Sequence, residues 1–207
     1  IDFIVFASTH RSKHNKPALC LHTPGNWRSA DLGGNPGKIC PTIANVLKFL
    51  FQQFEKNYNN NLFVKEKYSL TLESTHHGPD IDIPCCFIEL GATETEFKDT
   101  VAASVVAQTI NSLQYYETKN NPAAIAIGGP HYCPNFNLIQ LRSDYAISHI
   151  IPNYAFPVTE SMIFEGEKKT IEQIDTIIID WKGCGKSEER DQLLKLINKA
   201  GFSYVRN

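Results

Sequence analysis

The stretch Ala123-Ala124-Ile125-Ala126-Ile127-Gly128-Gly129-Pro130-His131-Tyr132 decides the fold class. An unbroken apolar run without alternation reads as a strand covered on both faces. The two glycines after it open a loop that ends on an imidazole. Outward from this point, apolar and β-branched runs predict strands at residues 3–7, 18–22, 68–72, 84–90, 174–180 and 202–205. Helical spacing fills the intervals. Val46, Leu47, Leu50, Phe51 and Phe54 share a face within 43–54, a longer pattern covers 97–116, and 189–200 ends at Gly201. This alternation predicts an α/β fold with a mixed, largely parallel sheet flanked by helices. Residues 1–207 read as a single catalytic domain, with a further segment expected upstream because the chain opens in a strand pattern without Met.

Composition narrows the function. A net charge of −2 excludes a broadly basic nucleic-acid binder. The charge is uneven, however. Arg11, Lys13, Lys16, Arg28 and Lys38 face only Asp2 and Asp31 in residues 1–40, so that stretch is +3 and the remainder −5. This suits either one phosphate-bearing end of a nucleic acid or a solvated basic loop. No apolar run approaches the roughly 20 residues that span a bilayer. Six cysteines without a C-x-x-C pair read as buried reduced thiols of a cytoplasmic protein.

Six of the seven histidines fall in junctions after apolar runs, where open α/β sheets build their sites; His14 reads as solvated. Glu73-Ser74-Thr75-His76-His77-Gly78-Pro79 is the densest cluster. Its Gly-Pro bend allows two imidazoles to converge as proton carriers or metal ligands, although a His-His pair is also a common surface feature. Gly128 and Gly129 offer backbone donors to an oxyanion or phosphate, or only a turn. His22-Thr-Pro-Gly-Asn26-Trp27 adds an amide and an indole that either stacks on a ligand or caps the core. Glu89, ending an apolar run, needs a partner or a function. Lys182–Ser187 lacks the Walker spacing and reads as a helix-start loop or a phosphate contact. The set suggests hydrolysis by an activated water, with histidines as base, acid or zinc ligands.

Taken in order, Phe-Ala-Ser-x-His at 6–10, His-Thr-Pro-Gly-Asn at 22–26, Glu-Ser-Thr-His-His-Gly-Pro at 73–79, Phe-Ile-Glu-Leu-Gly at 87–91, Gly-Gly-Pro-His-Tyr at 128–132, Ser-His-Ile-Ile-Pro-x-Tyr-Ala at 148–155 and Asp-Trp-Lys-Gly at 180–183 resemble the archaeal and plant type of D-aminoacyl-tRNA deacylase. Cys133-Pro134 departs from the Ala-Pro that often follows Gly-Gly-x-His-Tyr in that family. The resemblance implies hydrolysis of the ester between a D-amino acid and the terminal ribose of tRNA, a step in translation quality control. It also implies a phosphorylase/peptidyl-tRNA-hydrolase-like fold and zinc as cofactor. On this reading His76, His77, Glu73 and His131 are catalytic, and His76, His77 and Glu89 are metal ligands. His10, Arg11, His22, Asn26, Gly128, Gly129 and Tyr132 contact the acceptor end of the substrate, while His149 is either a site residue or a buried structural histidine. The alternatives are a peptidyl-tRNA hydrolase, a phosphorylase-like enzyme, or a module that binds an aminoacyl or nucleotide end without cleaving it.

Overall fold

A computed structural model describes residues 2–12 and 14–207. Its strands are β1 (Ile4–Thr9), β2 (Ala18–His22), β3 (Ser69–Leu72), β4 (Cys85–Gly91), β5 (Ala123–Ile127), β6 (Ala146–Ile151), β7 (Ile174–Ile179) and β8 (Ser203–Arg206). The helices are α1 (Ala44–Asn59), α2 (Leu62–Lys67), α3 (Glu94–Phe97), α4 (Thr100–Asn111), α5 (Pro134–Arg142), α6 (Glu160–Lys168) and α7 (Ser187–Lys199). The expected α/β alternation holds, but one sheet becomes two. The first has the order β1-β4-β2-β3 and is parallel except where β4 meets β2; the second, β6-β5-β7-β8, is parallel throughout.

The apolar face of α1 joins the two. Leu50, Phe51 and Phe54 are fully buried in one cluster with Leu19, Leu21 and Ile88 of the first sheet and Ala124, Ile147 and Ile178 of the second. Each such side chain contributes about 1.5–3 kcal/mol, so this helix is a main adhesive between the layers. Its N-terminus has no side-chain cap of its own. Glu172 supplies one from a distance, accepting from the N–H groups of Ala44 at 2.9 Å and Asn45 at 2.8 Å.

Several sequence expectations shift at element ends. The pattern over 97–116 is not one helix: Asp99 caps the separate helix α4 through the N–H groups of Val101 and Ala102, and α4 runs on into a 3-10 turn, Ser112–Tyr115. Strand β6 and helices α2, α5 and α6 were not predicted. His149 therefore does not sit in a junction but in the middle of β6, fully buried. Its Nε2–H points to the Lys169 carbonyl at 3.4 Å, and its Nδ1 lies 3.5 Å from the Thr75 hydroxyl. Burial pushes its pKa down to about 4, as for a structural, neutral imidazole.

Candidate active site

Beyond β3 the chain crosses the gap between the sheets, and this segment builds the site. Glu73 forms an antiparallel bridge with Tyr132, and His76 a parallel one with Pro24. The Ser74 N–H donates to the His131 carbonyl at 2.9 Å and the Thr75 N–H to the Ile150 carbonyl at 3.1 Å. Residues 73–76 are thus fastened on one side to the loop after β2 and on the other to the loop after β5. Gly78 is required where the turn folds back, because a Cβ there would lie 2.5 Å from the Gly34 nitrogen. His77 takes a left-handed φ of 44°, which frees the two neighbouring imidazoles from the opposite-face rule of a strand. Their ring centroids lie 4.5 Å apart, with His22 at 4.2 Å from His76 and 4.8 Å from His77.

Two hydrogen bonds set the tautomers. His76 Nδ1–H donates to the Ser74 carbonyl at 2.8 Å, and His77 Nδ1–H donates to the Gly78 carbonyl. A carbonyl only accepts, so both rings keep Nε2 as a free lone pair. Burial and the adjacent histidines hold His22 well below the ordinary imidazole range, and burial brings His76 down to about 4. Both rings are neutral near pH 7. His22 Nδ1 and Nε2 and Glu73 Oε2 are buried without a hydrogen-bond partner, an unusual concentration of unsatisfied donors and acceptors.

Behind the imidazoles lie two buried carboxylates. Glu73 Oε1 accepts from His131 Nε2–H at 3.1 Å and lies 3.5 Å from His10 Nδ1. Burial works against its charge, but His131, His76 and His10 outweigh it and hold the carboxyl below its usual range. Glu89, opposite Ser8 and Cys20 in the sheet, lies 3.5 Å from His10, 4.0 Å from His22 and 4.0 Å from His77. Burial disfavours charge on His10, yet Glu89 and Glu73 raise its pKa overall. The Cys20 thiol, beside the same carboxylates, is pushed well above its usual range by burial and stays protonated.

The predicted residues fall in different places. His10, His22, Glu73, His76, His77, Glu89, His131 and Tyr132 converge, with Tyr132 donating to or accepting from His10 Nε2 at 2.8 Å. Asn26 lines the adjoining cavity, but its amide donates to the Gly33 carbonyl and shapes that loop. Arg11, exposed, lies over the Phe97 ring at 5.4 Å rather than in the cavity. Gly128 and Gly129 need correction as oxyanion donors, since their N–H groups already donate to the carbonyls of Ile151 at 2.8 Å and Gly183 at 3.3 Å. Trp27 is buried and donates to the Ile150 carbonyl at 3.0 Å, which makes it a core cap. Glu89 groups at ligand distance with His22 and Glu73, whereas His76 and His77 group with His22.

A cavity of about 450 Å³ opens beside this cluster, lined by His76, His77, His131, Asn26, Arg28 and Tyr154. Tyr154 was not singled out in the sequence as a site residue. Its hydroxyl lies 2.9 Å from Ser74 Oγ and 3.4 Å from His131 Nδ1. A buried carboxylate behind a half-exposed imidazole, at the rim of a polar cavity in an α/β fold, defines a hydrolase-type site.

Comparison with known proteins agrees with that class. A family model described as D-aminoacyl-tRNA deacylase matches residues 1–205. The D-aminoacyl-tRNA deacylase of Thermococcus onnurineus is 36% identical over 209 residues, covering 100% of this chain and 74% of the relative. That of Methanocaldococcus jannaschii is 30% identical, covering 99% and 82%. The crystal structure of a conserved protein of unknown function superposes with a TM-score of 0.89 at 29% identity, covering 99% of this chain and 71% of the other. The chain belongs to the D-aminoacyl-tRNA deacylase family, hydrolases that act on the ester bond of aminoacyl-tRNA.

Proposed function

We propose that residues 1–207 act as one catalytic unit that cleaves the ester between a D-amino acid and the terminal ribose of tRNA, using water deprotonated by His131. The observation that carries this reading is the contact of His131 Nε2 with the buried Glu73 carboxylate at 3.1 Å, at the rim of the cavity. Glu73 orients the ring and stabilises the imidazolium that forms when His131 takes the proton. The aminoacyl group lies between His131 and the Asn26–Arg28 wall. With the glycine N–H groups occupied, the Tyr154 hydroxyl is the donor placed to meet the developing oxyanion. His131 then returns the proton to the departing ribose oxygen.

Ser74, His131 and Glu73 also lie in the order of a nucleophilic triad, with Ser74 Oγ 3.4 Å from His131 Nδ1. Ser74 is fully buried, however, so an acyl carbon cannot reach its hydroxyl. That burial favours water as the nucleophile.

The residues also fit zinc. His22, His76 and His77 bring ring nitrogens within 4.8 Å of one another, two of them holding Nδ1–H on a backbone carbonyl and one without any hydrogen-bond partner. These nitrogens, with Glu73 or Glu89 behind them, match the N/O donor set that zinc prefers. Zinc held there supplies a Lewis acid that polarises an acyl oxygen or acidifies a water. Six free, buried cysteines are in keeping with a cytoplasmic setting. No helix of the described residues is long and apolar enough to cross a membrane.

The test is incubation with D-aminoacyl-, L-aminoacyl- and peptidyl-tRNA, with and without chelator, beside a His131→Asn variant. Release of only the D-amino acid, lost in the variant, is expected. Release from peptidyl-tRNA alone, or capture of charged tRNA without cleavage, would replace this reading by one of its competitors.

A further inference from the structure

Of the large apolar side chains exposed among the described residues, only Leu32, 76% exposed, and Tyr154, 58% exposed, line the cavity beside His131. Tyr154 is held at one end. Its hydroxyl lies 2.9 Å from Ser74 Oγ and 3.4 Å from His131 Nδ1, and burial of that hydroxyl raises its pKa, so it stays protonated. The exposed area therefore belongs mainly to the ring. The turn that carries the ring is fastened on two sides. The Asn153 N–H donates to the Gly129 carbonyl at 2.9 Å, and Arg28 donates to the carbonyls of Ala155 at 2.7 Å and Pro157 at 2.6 Å. The ring is thus set in place before a ligand arrives, with little rotamer freedom left to lose on binding.

The ring is also placed with respect to the chemistry. Its centroid lies 6.4 Å from that of His131, and its hydroxyl end is the nearer one. A group stacked on the ring therefore sits one sugar away from an ester attacked beside His131. At about 450 Å³ the cavity is in the size range of sites that enclose whole small-molecule ligands, which leaves room for a nucleoside next to the aminoacyl group. The lining disfavours a phosphate there. Arg28 is its only Lys or Arg and turns its guanidinium to two backbone carbonyls, while Asp31 adds a carboxylate. A neutral, planar, π-rich group suits an aromatic face beside an apolar side chain. In an aminoacyl-tRNA, the group with those properties one ribose from the ester is the terminal base.

We infer that the face of Tyr154 and the side chain of Leu32 form a subsite for the terminal adenine of the tRNA, placing its ribose ester beside His131. The inference rests on the proposed tRNA reading and names the part of the substrate recognised next to the ester. Tyr154 then has two separable duties, its hydroxyl toward the oxyanion and its ring toward the base. Leu32 touches the base alone. Its own place is held by the backbone, where its carbonyl accepts from the Gly78 N–H at 3.3 Å, so a substitution at this exposed side chain leaves the loop tied down.

The experiment uses the full chain with Leu32→Ser, Tyr154→Phe and Tyr154→Ala variants. The probe is adenosine monophosphate, with ribose 5-phosphate as the control that lacks a base. Saturation-transfer NMR should show the adenine protons in contact with wild type, and no contact for ribose 5-phosphate. Affinity for adenosine monophosphate should fall about tenfold or more in Tyr154→Ala and severalfold in Leu32→Ser, and stay unchanged in Tyr154→Phe. In Leu32→Ser the KM for D-aminoacyl-tRNA should rise by the same factor with kcat unchanged. The KM for the D-aminoacyl ester of methyl riboside, which has no base, should not move. Tyr154→Phe should lower kcat instead, because only the hydroxyl is lost. Absence of transfer to the adenine protons, or a KM for D-aminoacyl-tRNA unaffected by Leu32→Ser, would overturn the subsite. An equal rise of KM on the riboside ester would overturn it too, by assigning Leu32 to the amino-acid side chain. If wild type binds adenosine monophosphate through these residues yet cleaves no D-aminoacyl-tRNA, the hydrolase reading fails and the base subsite stands.

Discussion

Glu73 and His131 reach one another from opposite sheets, and their side chains meet at 3.1 Å with the carboxylate wholly buried. Replacing Glu73 with Gln keeps the volume and removes the charge that stabilises a protonated His131. The expected result is a kcat lower by about 10²–10⁴-fold with KM and the circular-dichroism spectrum little changed. Retention of wild-type kcat would show that His131 works without the carboxylate.

Ser74→Ala separates water from serine as the nucleophile. The hydrogen bond to Tyr154 at 2.9 Å and the longer one to His131 Nδ1 at 3.4 Å are lost, together worth about 1–2 kcal/mol, so turnover should fall by no more than about thirtyfold. A fall as deep as that of His131→Asn, or an acyl-enzyme trapped by acid quench, would make Ser74 the nucleophile.

His22 tests the zinc proposal without recourse to turnover. Wild-type protein should retain zinc after gel filtration, read by plasma mass spectrometry, and added zinc should raise its Tm; at 100-fold excess over Kd the gain is about 2.7 kcal/mol. His22→Ala should lose both the bound metal and the shift. Equal zinc content in wild type and variant would remove His22 from the ligand set.

His149 gives the fold a pH dependence of its own. Its pKa is depressed to about 4 by burial, against about 6.5 unfolded. Between these values the unfolded chain binds the extra proton. Its contribution is therefore complete above about pH 6.5 and is lost progressively as pH falls toward 4, in all about 3 kcal/mol. His149→Gln should flatten the urea midpoint between pH 6.5 and 4. An equally steep acid limb in the variant would assign that dependence elsewhere.

How far the sequence showed all this depended on what each signal measured. Ala123–Ile127 is buried on both faces, as is the Ile177–Ile179 end of β7, so hydrophobicity alone marked both runs as strands. Strand β6 is just as buried, but Ser148 and His149 interrupt its apolar run. Their polarity is compensated by the Ala124 carbonyl, Thr170, Thr75 and Lys169, all distant in sequence. Helix α5 escaped because its amphipathic pattern is weak and only Phe136 and Gln140 are buried. Around the cavity, His10, His22, His76, His77 and His131 all lie at or just beyond strand ends, where the sequence placed them, whereas His149 lies within β6. The loss of Gly128 and Gly129 as donors follows from carbonyls on β6 and in the loop after β7, which no local pattern reveals. Tyr154, in a short 3-10 turn after β6, is close to His131 only in the folded chain.

The pairing of Glu73 with His131 across the gap carries a consequence for how the molecule fails. Neither sheet owns a complete set of reacting groups, so competence is a property of their relative placement and tolerates displacement of only about 0.5 Å. A slight slip of one layer on the α1 interface would silence the enzyme while every strand and helix remained intact. Turnover is thus a more sensitive gauge of the inter-sheet fit than any spectroscopic measure of folding.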